Sequence, residues 1–207
     1  STVFMNPNIV THQDPTTFSG ISYLGLGDRH MFDRRINSFG VFHVFLFGTD
    51  FSDGLRMEVQ VNAEFGSVGV AENIARKYSW LVGQLPYVLR TSINSLWIHR
   101  GRELFGGGNN SLLIHTDQGD LYEAYGFLEE VLVHEAVHAS LDRDHASHYY
   151  WLLARQLDAN FISDYSRDFP EREDLTESFL PWMALRYRRD RLSDELAGTI
   201  MKKMCYR

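Results

Sequence analysis

The sequence predicts an α+β fold in which a sheet-bearing N-terminal lobe is followed by a helical C-terminal lobe. Three observations lead to this prediction. Runs of β-branched and aromatic residues are frequent between Val41 and Thr116, and the chain after Ser147 looks helical apart from an interruption between Asp164 and Pro170. A long apolar helical stretch without proline lies between these two parts. Such a change of character along the chain is typical of an α+β arrangement with a cleft between two lobes.

The predicted elements of the N-terminal lobe follow one another as strand, strand, helix, strand, strand and motif helix. The first apolar run ends in a turn rich in Gly and Asp, and the second run alternates like a half-buried strand, so the two are expected to form a hairpin. The predicted strands cover Val41–Phe47, Met57–Phe65, Ser95–His99 and Ser111–Thr116, with a helix over Val70–Leu89 and a loop at Gly106–Gly108.

The whole chain, residues 1–207, is predicted to form a single domain. Its 207 residues are 44% hydrophobic, which is enough for one full core. We divide it into an irregular arm over residues 1–20, a sheet-bearing lobe with the motif helix over about residues 21–142, and a helical lobe over about residues 143–207.

Charge and cysteine content exclude several classes of function. The formal net charge is -7, which argues against nucleic acid or an anionic membrane as an obligatory partner, because either would favour a basic face. No apolar run reaches membrane-spanning length. Cys205 is the only cysteine, so neither an internal disulfide nor a thiolate metal site is expected.

The compartment and the oligomeric state stay open at this point. The chain begins with Ser1 rather than Met and shows no signal-peptide pattern, which suggests a trimmed start. The triplet Asn109-Asn110-Ser111 matches the glycosylation acceptor pattern and shifts the prediction slightly toward a secreted protein.

The sequence His134-Glu135-Ala136-Val137-His138 carries the prediction of function. Residues four apart share one face of a helix, so His134 and His138 can both direct an imidazole nitrogen at one metal ion. Glu135 lies about a quarter-turn away, where it is close enough to take a proton from metal-bound water without being a ligand. This H-E-x-x-H pattern predicts a zinc site with a general base beside it.

The helix that carries the motif is expected to be buried and to begin well before it. Asp120 with Glu123 reads as an N-cap and capping box, and the stretch Leu121–Leu141 contains no proline. Apolar residues cover most of the circumference near the motif. Two buried histidines and a carboxylate without partners would cost roughly 1 to 3 kcal/mol each, and metal coordination removes that problem.

A catalytic zinc ion commonly has three protein ligands, so a third donor is needed. One candidate is Asp144 or His145, just past the helix, as in metzincins. In that arrangement Leu141 would occupy a position where a glycine belongs, and Met183 is better explained as a core residue than as a Met-turn. Asp142 is expected to fix a ligand histidine or to cap the end of the helix.

The other candidate lies further along the chain. Asp168 can cap a helix that has Pro170 in its first turn and Glu171 completing a capping box. Glu173 and Glu177 then lie one turn apart on one face, where one can bind a cation while the other accepts a hydrogen bond from a ligand histidine. Spacing alone leaves both candidates open.

The combined pattern resembles a known clan. His134-Glu135-x-x-His138 followed by Glu173-x-x-x-Glu177 resembles the gluzincin zinc peptidases, and Glu-Asp-Leu-Thr-Glu-Ser-Phe is most similar to the lethal-factor-like and Pro-Pro endopeptidase branch. The similarity covers about residues 120–187. It implies a zincin-like fold, Glu173 as the third zinc ligand and Glu177 as a residue that orients a ligand. It also implies that Tyr165 assists the oxyanion, with Tyr149 or Tyr150 as alternatives.

These observations predict a zinc-dependent peptidase that acts on a peptide or protein substrate. In this hypothesis Zn²⁺ is held by His134, His138 and Glu173, and Glu135 is the general base. The strand Ser111–Thr116 is expected to be a sheet edge that receives extended substrate, with His115 structural or lining the substrate. The alternatives are a non-catalytic zinc-binding or interaction module and a metallo-hydrolase of non-peptide substrates. The motif predicts neither the cleavage specificity nor endo- versus exopeptidase action.

Overall fold

The computed structural model describes residues 8–207 and confirms a mixed α+β fold. Within these residues the strands form one six-stranded sheet. The strands are β1 Phe18–Asp33, β2 Ser38–Phe51, β3 Arg56–Asn62, β4 Ser95–His99, β5 Gly106–Gly108 and β6 Ser111–His115. The helices are α1 Val68–Gly83, α2 Tyr87–Arg90, α3 Thr116–Ala124, α4 Leu128–Ser140, α5 Tyr149–Asp158, α6 Asp164–Asp168, α7 Pro170–Tyr187 and α8 Asp194–Lys203.

The sheet has the order β1-β2-β3-β4-β6-β5 and is mixed. Strands β1, β2 and β3 form an antiparallel meander, β3, β4 and β6 are parallel, and β5 pairs antiparallel with β6. The prediction that Ser111–Thr116 is an edge strand is therefore wrong, because β6 lies between β4 and β5. The edge strand at this end of the sheet is β5, which lies in the segment that was predicted to be a loop. Asn109 and Asn110, at φ 51° and 58°, form a two-residue turn that folds the glycine run back onto β6.

The irregular N-terminal segment ends earlier than predicted, because a strand begins within residues 1–20. Residues 1–7 of the expected arm lie outside the described residues, and residues 8–17 form turns. Strand β1 begins at Phe18 and pairs with β2 along its length, with irregularities between Phe18 and Gly20 and between Tyr23 and Gly25. The sequence of β1 did not predict a strand because it contains several glycines and no continuous apolar run, and most of the strand is only partly buried.

The two faces of the sheet pack differently. On one face, Leu96, Ile98, Leu112 and Ile114 belong to the main core, together with residues of α1 and α4. We call this the helix face. On the opposite face the β1–β2 hairpin folds over the sheet, and Met31, Val44 and Leu46 form a second small core against Phe42 and Trp97. We call this the hairpin face.

The motif helix is shorter than predicted, and it does not begin at Asp120. That residue lies inside α3, and α4 begins only at Leu128. The break is at Gly126, at φ 78°, where the N–H of Gly126 donates to Glu123 O and the N–H of Phe127 donates to Tyr122 O. This pair of hydrogen bonds is a Schellman motif, which ends a helix at a left-handed residue, usually glycine.

The C-terminal part is helical, as predicted, but the predicted cap at Asp168 is wrong. Asp168 is the last residue of α6, Phe169 is the N-cap of α7, and Pro170 is its first residue. Proline suits this position because the first N–H groups of a helix have no intrahelical partner. Helix α7 packs against α4 and is buried over most of Glu173–Ala184. Among the described residues no helix combines the length and apolarity needed to cross a bilayer.

Candidate metal centre

Helices α4 and α7 bring two imidazoles and one carboxylate together. The Oε2 atom of Glu173 lies 3.4 Å from His134 Nε2 and 3.2 Å from His138 Nε2. One donor atom from each of the three residues lies within 4.8 Å of the others. Glu173 is only 1% exposed and His134 only 9%, so the donors converge below the protein surface.

The donor set and its spacing fit a divalent metal ion. Two imidazole nitrogens and one carboxylate oxygen are ligands commonly found at catalytic zinc sites. Tetrahedral bonds of about 2.0 to 2.1 Å place neighbouring ligand atoms about 3.3 Å apart, which agrees with the two nitrogen–oxygen distances given above. The group formed by His134, His138 and Glu173 could therefore hold a metal ion.

The charges in this group compensate one another. Burial opposes protonation of His138, but hydrogen bonds to Asp142 and Glu173 raise its pKa to about 10. Burial likewise opposes ionisation of Glu173, but the two imidazoles hold its pKa well below the usual range. Without a cation, protons on the imidazoles balance the buried carboxylates. A metal dication would supply the same balance, with release of these protons.

A carboxylate supports the outer nitrogen of each imidazole. Asp142 Oδ2 lies 2.5 Å from His138 Nδ1, and Glu177 Oε1 lies 3.2 Å from His134 Nδ1. Both Nε2 atoms are thereby left facing Glu173. Carboxylates behind ligand histidines fix the orientation of the ring and increase its basicity.

Two hydroxyl groups complete this outer layer and were missed in the sequence. Thr176 Oγ1 lies 3.2 Å from His138 Nδ1 and donates to Asp142 Oδ1 at 3.4 Å. Ser163 Oγ donates to Glu177 Oε2 at 2.7 Å. Thr176 is three residues after Glu173, so helical spacing would have placed it on the same face. Ser163 precedes α6, and no local pattern relates it to Glu177.

The second oxygen of Glu173 is held by two other side chains. Tyr165 donates its hydroxyl to Glu173 Oε1 at 3.0 Å, and Arg172 Nε donates to the same atom at 3.0 Å. Tyr165 was predicted from the sequence to be a site residue. Arg172 was not, although it directly precedes Glu173. The alternatives Tyr149 and Tyr150 lie on α5, 68% and 71% exposed.

The near-ligand candidates lie outside the donor group. Asp144 is exposed, and its Oδ1 accepts from Arg143 Nε at 3.1 Å. His145 is in the same π-helical segment, Asp142–Ala146, which contains no buried residue. Met183 is buried in the main core, as expected for a packing residue.

A cleft of about 1100 Å³ opens onto the two imidazoles, Glu135 and Glu173. One wall is aromatic and comes from the loop before β5 and the junction of α3 with α4; it consists of Phe105, Tyr122, Tyr125 and Phe127. Strand β5 borders the cleft and touches the motif helix. A Cβ atom added to Gly107 would lie 1.8 Å from the backbone oxygen of Glu135, so only glycine fits there.

His115 does not reach this cleft. It is fully buried on β6, and its Nε2 lies 3.4 Å from Asp33 Oδ1 on the hairpin face. Of its two predicted roles, the structure favours the structural one. Asn109 is exposed in the β5–β6 turn, and its glycosylation remains a prediction.

Comparison of the chain with models of known protein families, with curated proteins and with solved structures finds no match.

Proposed function

We propose that the protein is a zincin-like, zinc-dependent peptidase of the gluzincin type. One observation carries the proposal. Two imidazoles from α4 and a carboxylate from α7 meet at a cleft, and a further carboxylate, that of Glu135, lines the same cleft. Hydrolytic zinc sites combine these elements, with three protein ligands, one open position and an adjacent general base.

A zinc ion bound by His134, His138 and Glu173 would lower the pKa of a water molecule and polarise the substrate carbonyl. Glu135 would take the proton of the attacking water and later deliver it to the leaving amine. The Tyr165 hydroxyl would hydrogen-bond to the oxyanion. Its position next to Glu173 Oε1 supports this role, and Arg172 can hold that oxygen when the hydroxyl turns toward the substrate.

An extended peptide would bind along the outer edge of β5. In a hairpin with a two-residue loop, the pair flanking the loop is hydrogen-bonded and the next pair is not. Gly108 and Ser111 flank the loop here, so the N–H and C=O of Gly107 are directed away from β6. A substrate strand can pair with these groups beside the metal centre. This edge favours a peptide over other hydrolysable substrates.

A purely structural zinc site is less well supported. Such sites are usually closed by four protein ligands, whereas the three donors described here face an open cleft. A structural site also has no use for an unligated carboxylate such as Glu135 at the same cleft.

The test is to measure zinc content and peptide hydrolysis in the full chain and in Glu135→Gln. We expect one zinc ion per chain in both proteins and a loss of turnover of about 10²- to 10⁴-fold in the variant, because the general base is absent. Glu129→Gln, on the same helix but outside the cleft, is the matched control and should keep both properties. A zinc-free wild-type protein, or undiminished turnover in Glu135→Gln, would refute the proposal.

A further inference from the structure

Strand β5 separates two cavities. The large cleft lies on the helix face, and a smaller pocket of about 170 Å³ lies beside β5 and the end of the β1–β2 hairpin. The two cavities share Phe32, Arg34 and Gly107 in their linings, so they are neighbours across the strand. The proposed function uses only the first of them. We call the second the hairpin-face pocket.

The glycine sequence of β5 leaves space on the hairpin face. Neighbouring residues of a strand face opposite sides of the sheet. The side-chain position of Gly107 is directed at α4, and those of Gly106 and Gly108 are therefore directed at the hairpin face. A Cβ atom on Gly106 would lie 3.0 Å from Arg34 Nη2 and 3.6 Å from Leu113 Cβ, and one on Gly108 would meet nothing within 4 Å. Side chains that would fill this space are absent from β5 itself.

Four apolar or aromatic side chains line the hairpin-face pocket together with the glycines of β5 and the polar side chains of Arg34, Asn109 and Ser111. Phe39 packs edge-on against Phe32 and Trp97, with ring centroids 5.2 and 5.9 Å apart, and Leu113 lines the pocket on the sheet side. Phe39 is 43% exposed, so a bound side chain would cover apolar surface that now faces water. Ser111 Oγ lies 2.8 Å from Ser95 Oγ, so its hydroxyl already has a partner.

We infer that the hairpin-face pocket is a second specificity subsite, which binds one large apolar or aromatic side chain of a peptide paired with β5. The inference rests on the proposed function, because it needs a substrate strand along Gly106–Gly108. A residue opposite Gly107 directs its side chain to the same face as Gly107, into the catalytic cleft. The residues before and after it face the hairpin side. Neighbouring substrate side chains therefore bind on opposite faces of the sheet.

The experiment uses the zinc-loaded full chain and a peptide that it cleaves. Each position of this peptide is replaced in turn by Ala, Asp, Leu, Phe and Trp, and kcat/KM is measured. We expect a preference for large apolar residues at a position adjacent to the residue in the catalytic cleft. In Phe39→Ala this preference should fall by roughly 10-fold or more, because burial of the side chain is lost. The kcat/KM for the peptide with Ala at that position should fall much less than that for the peptide with Phe, because a methyl group does not fill the pocket.

Trp97→Leu should have the same effect, with circular dichroism to verify folding, because Trp97 also packs against the second core. Trp80→Leu is the matched control, since Trp80 is exposed on α1 and lines neither cavity. Calorimetry with Glu135→Gln and with the double variant Glu135→Gln/Phe39→Ala measures peptide affinity without turnover. These affinities should follow the same order of side chains as kcat/KM.

The outcomes distinguish failure of the subsite from failure of the proposed function. If the zinc-loaded wild type cleaves no peptide at all, the proposed function fails and the subsite fails with it. If peptides are cleaved with the same side-chain preference by wild type and Phe39→Ala, only the subsite is refuted. A side-chain preference found only at peptide positions that face the catalytic cleft would also refute the subsite.

Discussion

Two buried clusters in this protein contain the same residue types, two histidines and one acid. The metal centre consists of His134, His138 and Glu173. The other, which we call the sheet cluster, consists of Asp33, His99 and His115 on β1, β4 and β6, and each of its side chains is at most 3% exposed. Among the described residues, only the metal centre brings three such donor atoms within 4.8 Å of one another.

The clusters differ in what neutralises the carboxylate. In the sheet cluster, Arg35 Nε and Nη2 donate to Asp33 Oδ2 at 3.0 and 2.7 Å, and Nε also donates to Oδ1 at 3.0 Å. Burial opposes ionisation of Asp33, but these hydrogen bonds hold its pKa at about 2. In the metal centre Arg172 holds the Oε1 atom of Glu173, and the imidazoles themselves face its Oε2 atom.

The histidines differ accordingly. Burial lowers the pKa of His99 to about 4, whereas that of His138 is raised to about 10. A neutral His99 is satisfied on both sides, because Asn62 Nδ2 donates to its Nδ1 at 3.0 Å and its Nε2 donates to Phe32 O at 3.2 Å. Composition and burial are thus insufficient to indicate a metal site. Convergence of both imidazoles on one carboxylate oxygen, Oε2 of Glu173, is the better criterion.

The largest effect that tests this comparison is the loss of metal on removal of the metal-centre carboxylate. Glu173→Gln should weaken zinc binding by more than about 100-fold, because loss of outer-layer partners alone typically weakens it by 10- to 100-fold. Competition with a chromogenic chelator measures the affinity, and elemental analysis measures the bound metal.

Asp33→Asn is the matched change in the sheet cluster. It should leave the zinc affinity unchanged and lower the melting temperature, because Arg35 loses its bidentate partner. The interpretation is wrong if Asp33→Asn releases zinc as well, or if Glu173→Gln keeps it.

More of the metal centre than of the sheet cluster could be predicted from the sequence, for a physical reason. The positions of His134 and His138 follow from helical periodicity, which is a local property. Glu173 is some thirty-five residues away from His138, and it was favoured over Asp144 by Leu141 at the position of the metzincin glycine and by the resemblance to a known clan. The sheet cluster joins three strands, and one of them, β1, lacks the apolar pattern by which strands are recognised.

The errors in the secondary structure have a similar origin. Gly126 ends α3, but the apolar residues on either side suggested a continuous helix. The run Gly106–Gly108 has low β-propensity, yet it pairs with β6 as a strand, and Gly107 lies so close to the backbone of Glu135 that only glycine fits. In both places tertiary packing determines the outcome, and single-sequence patterns do not contain it.

The next largest effect is the pH dependence of stability, to which the histidines of the sheet cluster should contribute. The pKa of folded His99 is about 4, below its ordinary value of 6.5, so on acidification the unfolded chain binds a proton that the folded chain does not. Stability from this group is therefore fully present above pH 6.5 and falls as the pH drops toward 4. The shift corresponds to about 2 kcal/mol between about pH 7 and pH 4.5. His115, whose pKa is also lowered by burial, acts in the same direction.

His99→Gln removes this titration, so its unfolding free energy should depend less on pH than that of the wild type. Urea denaturation at several pH values measures both proteins, and the difference between them cancels the contribution of the metal centre. His43→Gln, at an exposed position on β2, is the matched control. Parallel pH profiles for wild type and His99→Gln would show that His99 is not held neutral by its surroundings.

The smallest of these effects concerns the outer layer of the metal centre. Asp142→Asn should weaken zinc binding by about tenfold, toward the lower end of the usual range, because the Asp142 side chain is 24% exposed and Thr176 also contacts His138 Nδ1. Asp144→Asn, two residues further along and paired with Arg143, is the matched control and should bind zinc like the wild type. Equal losses in both variants would indicate a general effect of negative charge near the cation. A loss in Asp142→Asn alone would indicate that the contact of this carboxylate with the His138 imidazole is what matters.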